Sequence, residues 1–176
     1  MHALIVGDRG VGKSTLIHRV LKELNCPVFG FETKKEEQQE DPLRGCPIYI
    51  YDAGKPHLQA QNNLIGYHKE RDIAAITSAF DRYTPKLMVP VPEGSVVEMD
   101  EIGFLEANAV VFCQAVLHLL NGENPVIAAV KNREHPFLEA VRNHPNARCF
   151  FITAENRDAL YEEVLEFMNQ QLGERL

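Results

Sequence analysis

Residues 7–14 read GDRGVGKS and match the spacing G-x-x-x-x-G-K-[ST]. A short apolar run precedes them at 3–6, and a run with apolar residues at helical spacing follows at 15–24. Glycines allow left-handed backbone conformations, in which successive N–H groups turn inward around an anion. The start of a helix adds its dipole at the same place. This strand–loop–helix order predicts a loop that binds a polyphosphate.

The residues of this loop have distinct expected roles toward a nucleoside triphosphate. Lys13 places a full positive charge near the β- and γ-phosphates, and the Ser14 hydroxyl is the expected ligand of a Mg²⁺ cofactor. A glycine-rich turn that merely begins a helix is the alternative. The predicted nucleotide-binding residues of the loop are Gly7, Asp8, Arg9, Gly10, Val11, Gly12, Lys13, Ser14 and Thr15.

A second motif, VVEMDE at 96–101, is a short strand ending in two adjacent acids. Asp100 is the expected second protein ligand of Mg²⁺, and Glu101 is placed to orient an attacking water, so Glu101 and Lys13 are the predicted catalytic residues. Asp100 could instead cap a helix beginning near Gly103. Glu98 interrupts the apolar run, which predicts that it lies at a sheet edge or points outward.

Composition limits the classes of function. The 176 residues suit a single domain over 1–176, and 45% hydrophobic residues suffice for a core. A net charge of −7 without a long basic run argues against nucleic acid as a partner. No run approaches the roughly 20 apolar residues of a membrane span. No signal peptide is visible and the four cysteines are scattered, which predicts reduced thiols in a cytoplasmic protein; unclustered histidines make a zinc site unexpected.

The remainder of the chain alternates between strand and helix patterns. Strands are predicted at 95–99, 125–130 and 148–153, and helices at 104–120, 136–143 and 156–171. Such alternation predicts a three-layer α/β fold with a mainly parallel sheet. In such sheets the ligand lies at the carboxyl ends of the strands, where Gly7 and Asp100 both fall.

The middle of the chain, 26–94, is less regular. Strands are predicted at 28–33 and 47–51, with the polar tract 34–41 as the solvated arm of an antiparallel β-hairpin extension. Residues 57–80 are predicted to hold loops and a short helix. Asp52-Ala53-Gly54 resembles the D-x-x-G signal of small GTPases, but no N-K-x-D follows a later strand. We therefore interpret Asp52-Ala53-Gly54 as a turn.

Five segments together resemble one family: GDRGVGKSTL at 7–16, GFET at 30–33, MDEIG at 99–103, VKNREHP at 130–136 and FITAENRD at 151–158. They are similar to the nucleoside-triphosphatases that include the human cancer-related enzyme and thermophilic prokaryotic relatives. The resemblance implies a RecA-like P-loop NTPase fold. It also implies Mg²⁺-dependent hydrolysis of several NTPs to the diphosphate and phosphate, with broad base specificity.

The same resemblance adds Asn156 and Arg157 to the expected nucleotide-binding residues. Asn156 is equally suited to capping the last helix. Phe104 stands where relatives usually carry a polar residue, and Asp8-Arg9 stands where proline is common, which leaves rate and substrate range open. Lys131, Arg133 and Arg157 are candidates for an additional cation that stabilises the transition state, or are ordinary surface charges.

Two rival functions remain at this point. A kinase would pass the γ-phosphate to a nucleotide or small molecule, and phosphate release without an acceptor would argue against it. A nucleotide-gated switch would bind a protein partner, unknown here, and would show negligible turnover alone.

Overall fold

The computed structural model describes residues 1–70 and 72–173, and within them eight strands form one sheet. The strands are β1 His2–Gly7, β2 Val28–Lys35, β3 Cys46–Asp52, β4 Leu64–Lys69, β5 Asp72–Ala75, β6 Val96–Ile102, β7 Val126–Lys131 and β8 Ala147–Phe151. The helices are α1 Lys13–Leu24, α2 Thr77–Leu87, α3 Val110–Asn121, α4 Pro136–Arg142 and α5 Arg157–Gly173. None of these helices is long and apolar enough to cross a membrane.

The strand order is β5-β4-β3-β2-β6-β7-β1-β8. The strands β2, β6, β7, β1 and β8 pair in parallel, which brings their carboxyl ends to one edge. The strands β3, β4 and β5 continue the sheet from β2 with antiparallel pairing. The predicted mainly parallel sheet with an antiparallel addition is confirmed, although the addition has more strands than a hairpin. We call β3–β5 the antiparallel extension.

Helices cover both faces of the parallel strands. Along β1, Ala3 and Ile5 pack with α1 and α5, whereas Leu4 and Val6 pack on the opposite side with α2, α3 and α4. A strand buried on both faces carries an unbroken apolar run rather than alternation. This arrangement explains the sequence at 3–6 and confirms the three-layer α/β prediction.

The prediction for 57–80 missed β4 and β5. All residues of β5 are exposed, so this edge strand lacks the buried face whose alternation would have revealed it. The helix predicted from Phe104 begins only at Val110. Before it, buried Glu106 accepts a hydrogen bond from the Gly103 N–H and holds residues 103–109 in turns.

Two interpretations of the middle region are confirmed: the solvated polar tract at 34–41 and the turn at 52–54. The first two residues of the polar tract 34–41 end β2, the tract then forms a short 3₁₀ turn at Glu37–Gln39, and its residues are mostly exposed. Asp52 ends β3, and Gly54 has a φ of 68°, as a turn requires. The Asp52 carboxylate accepts hydrogen bonds from the Tyr83 hydroxyl and the Lys86 ammonium. Asp52 therefore anchors α2. The four cysteines are free thiols.

Candidate active site

A cavity of about 700 Å³ opens at the carboxyl edge of the parallel strands, where the loop after β1 meets the ends of β6 and β7. The antiparallel extension forms its far wall. The predicted site residues that line it are Gly7, Asp8, Arg9, Gly10, Ser14, Asp100 and Glu101, together with the candidate cations Lys131 and Arg133.

The loop after β1 has the backbone that its glycines predict. Gly10 and Gly12 have φ values of 82° and 103°, a left-handed region that other residues rarely adopt. The Lys13 side chain is buried, and its Nζ donates to the backbone oxygens of Gly7 at 2.9 Å and Asp8 at 2.8 Å. The lysine thus closes the loop around its own ammonium group. The remaining loop residues are exposed at Thr15 and half-buried at Val11.

Glu101 lies between two ammonium groups. Its carboxylate is 3.1 Å from Lys13 Nζ and 3.2 Å from Lys131 Nζ, and its backbone N–H donates to Thr33 Oγ1. Because β7 is the neighbour of both β1 and β6, its last residue, Lys131, lies close to the phosphate-binding loop. Among the contacts of the described residues, Lys131 is the one of the three candidate cations that pairs with a predicted catalytic residue, Glu101.

Ser14 and Asp100 lie together as the Mg²⁺ prediction requires. Ser14 Oγ donates to Asp100 Oδ1 at 3.1 Å. Burial raises the pKa of Asp100 to about 7, against the opposing effect of the Ser14 hydrogen bond. Two oxygen donors at this edge suit a hard cation that keeps several waters and takes phosphate oxygens. Capping of a helix by Asp100 is excluded, because β6 continues through it to Ile102.

The expectation for Glu98 is wrong. The strand β6 lies between β2 and β7, and Glu98 is 2% exposed. Its side chain faces His18, which lies one helical turn after Ser14 on α1. His18 Nε2 is 3.4 Å from Glu98 Oε1 and 3.3 Å from Glu32 Oε2. The two carboxylates, Glu32 first, raise the pKa of His18 to about 10, while burial raises the pKa of Glu98.

Asn156 and Arg157 lie on the other side of the loop, outside the cavity. The Asn156 side-chain amide accepts from the Thr153 N–H and donates to the Phe151 oxygen, so it orders the turn before α5. Arg157 is exposed and passes beside the loop, with its Cδ 3.7 Å from where a Cβ on Gly12 would stand.

The cavity also contains residues that the sequence did not single out as site residues. His68, on β4, contacts Arg9 Nη1 through Nε2 at 3.1 Å. Burial, with the nearby Arg9 charge, lowers the pKa of His68, which favours the neutral ring as the acceptor of that hydrogen bond. Lys35, at the end of β2, lines the same wall. No sequence signal marked His68, since β4 itself was not predicted.

A family model described as NTPase matches residues 2–165. The nucleoside-triphosphatase THEP1 of Thermotoga petrophila is 30% identical over 99% of this chain and 96% of its own. A cancer-related nucleoside-triphosphatase homologue of Mus musculus is 24% identical over 93% of this chain and 94% of its own.

A solved structure shares the fold. The crystal structure of THEP1 from Aquifex aeolicus superposes with a TM-score of 0.69 at 24% identity, covering 96% of this chain and 99% of that one.

Proposed function

This chain belongs to the NTPase family, and on that premise we propose that it hydrolyses nucleoside 5′-triphosphates to the diphosphate and phosphate with Mg²⁺ and little base preference. Relatives are named nucleoside-triphosphatases, so NTP hydrolysis is the activity expected of the family. One observation carries the residue assignments: Lys13, Glu101 and Lys131 form one contiguous charged group beside the Ser14–Asp100 pair.

In this proposal Lys13 is the group that the γ-phosphate engages. Its ammonium now contacts Glu101 at 3.1 Å, and a phosphate oxygen would compete with that carboxylate for the same charge. Glu101, released toward the cavity, would orient the attacking water and accept its proton. Lys131, 3.2 Å from Glu101, would neutralise charge that develops on the transferred phosphoryl group.

Ser14 and Asp100 would hold Mg²⁺, which supplies charge neutralisation to the β- and γ-phosphate oxygens when bound. The supporting observation is their donor set, a hydroxyl and a carboxylate in direct contact at the start of α1. The backbone N–H groups of residues 7–15 would hold the phosphates, aided by the dipole of α1.

The loop between β8 and α5, which lies beside the phosphate-binding loop, supports the proposal of weak base discrimination. Specificity for a base needs side chains whose hydrogen bonds would otherwise stay unpaired. Here Asn156 is already paired with Thr153 and Phe151, and Thr153 Oγ1 accepts from the Glu155 and Asn156 N–H groups. Arg157 can reach a phosphate or ribose without reading the base.

Phosphate release from ATP, GTP, CTP and UTP, measured with malachite green and no acceptor, tests this function. We expect turnover of all four nucleotides with kcat/KM values within about tenfold of each other, and loss of turnover in EDTA. Release that persists undiminished in EDTA would contradict the Mg²⁺ requirement. A strong preference for one base would contradict the proposed broad base specificity.

One observation favours a second candidate, phosphoryl transfer to a small acceptor. The cavity continues past Glu101 to Lys35 and His68, where an anionic acceptor could lie. In that case phosphate release without an acceptor would be negligible and an added nucleotide or small-molecule acceptor would restore turnover. The same assay separates the two functions.

A further inference from the structure

A cluster of ionisable side chains lies under α1, behind the Ser14–Asp100 pair. One ligand atom from each of His18, Glu98 and Asp100 falls within 4.8 Å of the other two. Glu32 adds a further carboxylate, whose Oε2 lies 3.3 Å from His18 Nε2. None of the proposed steps of hydrolysis uses His18, Glu32 or Glu98.

The fold builds this cluster from three elements. In the parallel pair of β2 and β6, Glu32 stands opposite Asp100. Glu98 precedes Asp100 by two residues and therefore points to the same face of the sheet. His18 follows Ser14 by four residues and therefore lies on the same face of α1. Strand pairing and helix periodicity thus direct all four side chains into one space.

The cluster has more acceptors than donors. Glu98 has a side-chain exposure of 2%, and its Oε1 has no well-oriented hydrogen bond among the described residues, only an ion-pair contact with His18 Nε2 at 3.4 Å. One imidazole N–H cannot satisfy both Glu32 and Glu98. The buried Glu98 carboxylate is therefore only partly compensated by His18, which is costly, and a bound cation removes that cost.

The spacing fits a metal ion bound by mixed nitrogen and oxygen ligands. Zinc bonds of about 2.0–2.2 Å in tetrahedral geometry place neighbouring ligand atoms roughly 3.3–3.6 Å apart. The separations from His18 Nε2 are 3.3 Å to Glu32 and 3.4 Å to Glu98, and the ligand atoms of His18, Glu98 and Asp100 lie within 4.8 Å of one another, so the set is near this spacing and would contract around an ion. An imidazole nitrogen favours zinc or a related transition metal over Mg²⁺.

An outer layer and an entry path are also present. His57 Nε2 lies 3.5 Å from Glu32 Oε2, and its ring stacks on Tyr51 at 4.2 Å between centroids. Such outer partners orient the ligands of metal sites. The His18 side chain is 51% exposed, so the cluster opens to solvent on the α1 side.

We propose that His18, Glu98 and Asp100, with Glu32 beside His18 as a further carboxylate, form a binding site for a divalent transition metal, of the zinc class, distinct from the Mg²⁺ position at Ser14. Asp100 stands at the border of the two positions. The bound ion ties α1 to β6 and β2 directly beneath the phosphate-binding loop. The proposal concerns metal binding without nucleotide and does not depend on the hydrolytic activity.

The test is calorimetric titration of Zn²⁺ into EDTA-stripped, dialysed protein, without nucleotide. We expect one ion per chain, a rise in the thermal midpoint on binding, and visible Co²⁺ absorption of a tetrahedral site. His18→Gln and Glu98→Gln should each weaken Zn²⁺ binding by more than about 100-fold, and His57→Phe, which keeps the stacking on Tyr51, by about 10–100-fold. His118→Gln, an exposed histidine of α3, is the matched control and should bind as wild type.

Ser14→Ala and millimolar Mg²⁺ distinguish the two positions. Both should leave Zn²⁺ bound if the proposed site is correct. The proposal is overturned if wild type binds no Zn²⁺, if the His18 and Glu98 variants bind it undiminished, or if Zn²⁺ binding is lost in Ser14→Ala yet survives in His18→Gln. Since the His18 side chain is half exposed, His18→Gln should fold. If Glu98→Gln fails to fold, the wild-type Co²⁺ spectrum and the Mg²⁺ competition still test the proposal.

Discussion

The five parallel strands and the antiparallel extension meet at β2 and contribute differently to the cavity. Parallel strands bring their carboxyl ends to a common edge, so Asp100 and Glu101 of β6 meet Lys131 of β7 there, together with Lys13, which begins α1 after the loop that follows β1. Antiparallel strands alternate in direction, and the extension therefore supplies a wall with single contacts such as His68 to Arg9. The comparison predicts that phosphate chemistry depends on the parallel edge, while the extension adjusts what else the cavity admits.

The largest effect is expected for Lys13→Ala at the parallel edge. Removing the ammonium that contacts Gly7, Asp8 and Glu101 should lower kcat/KM by about 10³-fold or more. It should also weaken binding of a fluorescent nucleotide. Lys22→Ala, an exposed lysine on the same helix, is the control and should behave as wild type. Near-normal turnover by Lys13→Ala would contradict the phosphate-binding role assigned to the loop.

Glu101→Gln should separate binding from chemistry. The amide keeps the shape of the side chain but cannot accept the proton of the attacking water, so kcat should fall by about 10²–10⁴-fold with nucleotide affinity retained. Single-turnover phosphate release and nucleotide titration measure the two quantities. Full turnover by this variant would refute the catalytic assignment. Glu139→Gln, an exposed glutamate of α4, is the matched control.

Glu106→Gln tests the turn that connects β6 to α3. Burial raises the pKa of Glu106 to about 7 from an ordinary value of 4.5. Since the folded-state pKa is the higher one, its stabilising contribution is complete below about pH 4.5 and is lost as the pH rises through about 7. Wild type should therefore lose about 3 kcal/mol of unfolding free energy over that range through this group, and Glu106→Gln should not. Urea unfolding at about pH 5 and pH 8 measures the difference; equal pH dependence in both proteins would contradict it.

Lys131→Met tests the cation that β7 brings to Glu101. Loss of a charge that stabilises the transition state should reduce kcat by about 10–100-fold, with a smaller change in KM. Arg133→Met, which changes a cavity-lining cation that is not in contact with Glu101, is the comparison and should have the weaker effect. A larger loss in the Arg133 variant would transfer the role to that residue.

The smallest effect is expected in the extension. His68→Phe removes the hydrogen bond with Arg9 and should change KM by no more than about threefold, leaving kcat near wild type. Steady-state kinetics with ATP checks this. A fall in kcat comparable to that of Glu101→Gln would erase the distinction between the two regions. It would favour an acceptor bound against the extension.

The parallel region was readily predicted from sequence, because buried strands and amphipathic helices leave strong local patterns. The runs at 3–6 and 126–130 and the helix after Pro136 are examples, and His135 Nδ1 caps that helix by accepting from the Phe137 N–H. The strand β5 lies exposed at the sheet edge, so its four residues carry no alternating apolar pattern that would predict a strand. Residues 104–109 are apolar enough for a helix, yet the buried Glu106 carboxylate holds them in turns.

The sequence by itself determined the ligand class, since G-x-x-x-x-G-K-[ST] is a local backbone device that works wherever a strand leads into a helix. It also determined the two-sided burial of the parallel strands and the family to which the chain belongs. Only the tertiary structure decided that Lys131 contacts Glu101 and that His68 reaches Arg9. It likewise showed that Glu98, expected at a sheet edge or pointing outward, is buried beside His18, which also contacts Glu32. The physical reason is that strand order and helix placement join residues far apart in the chain, and linear spacing carries no record of those contacts.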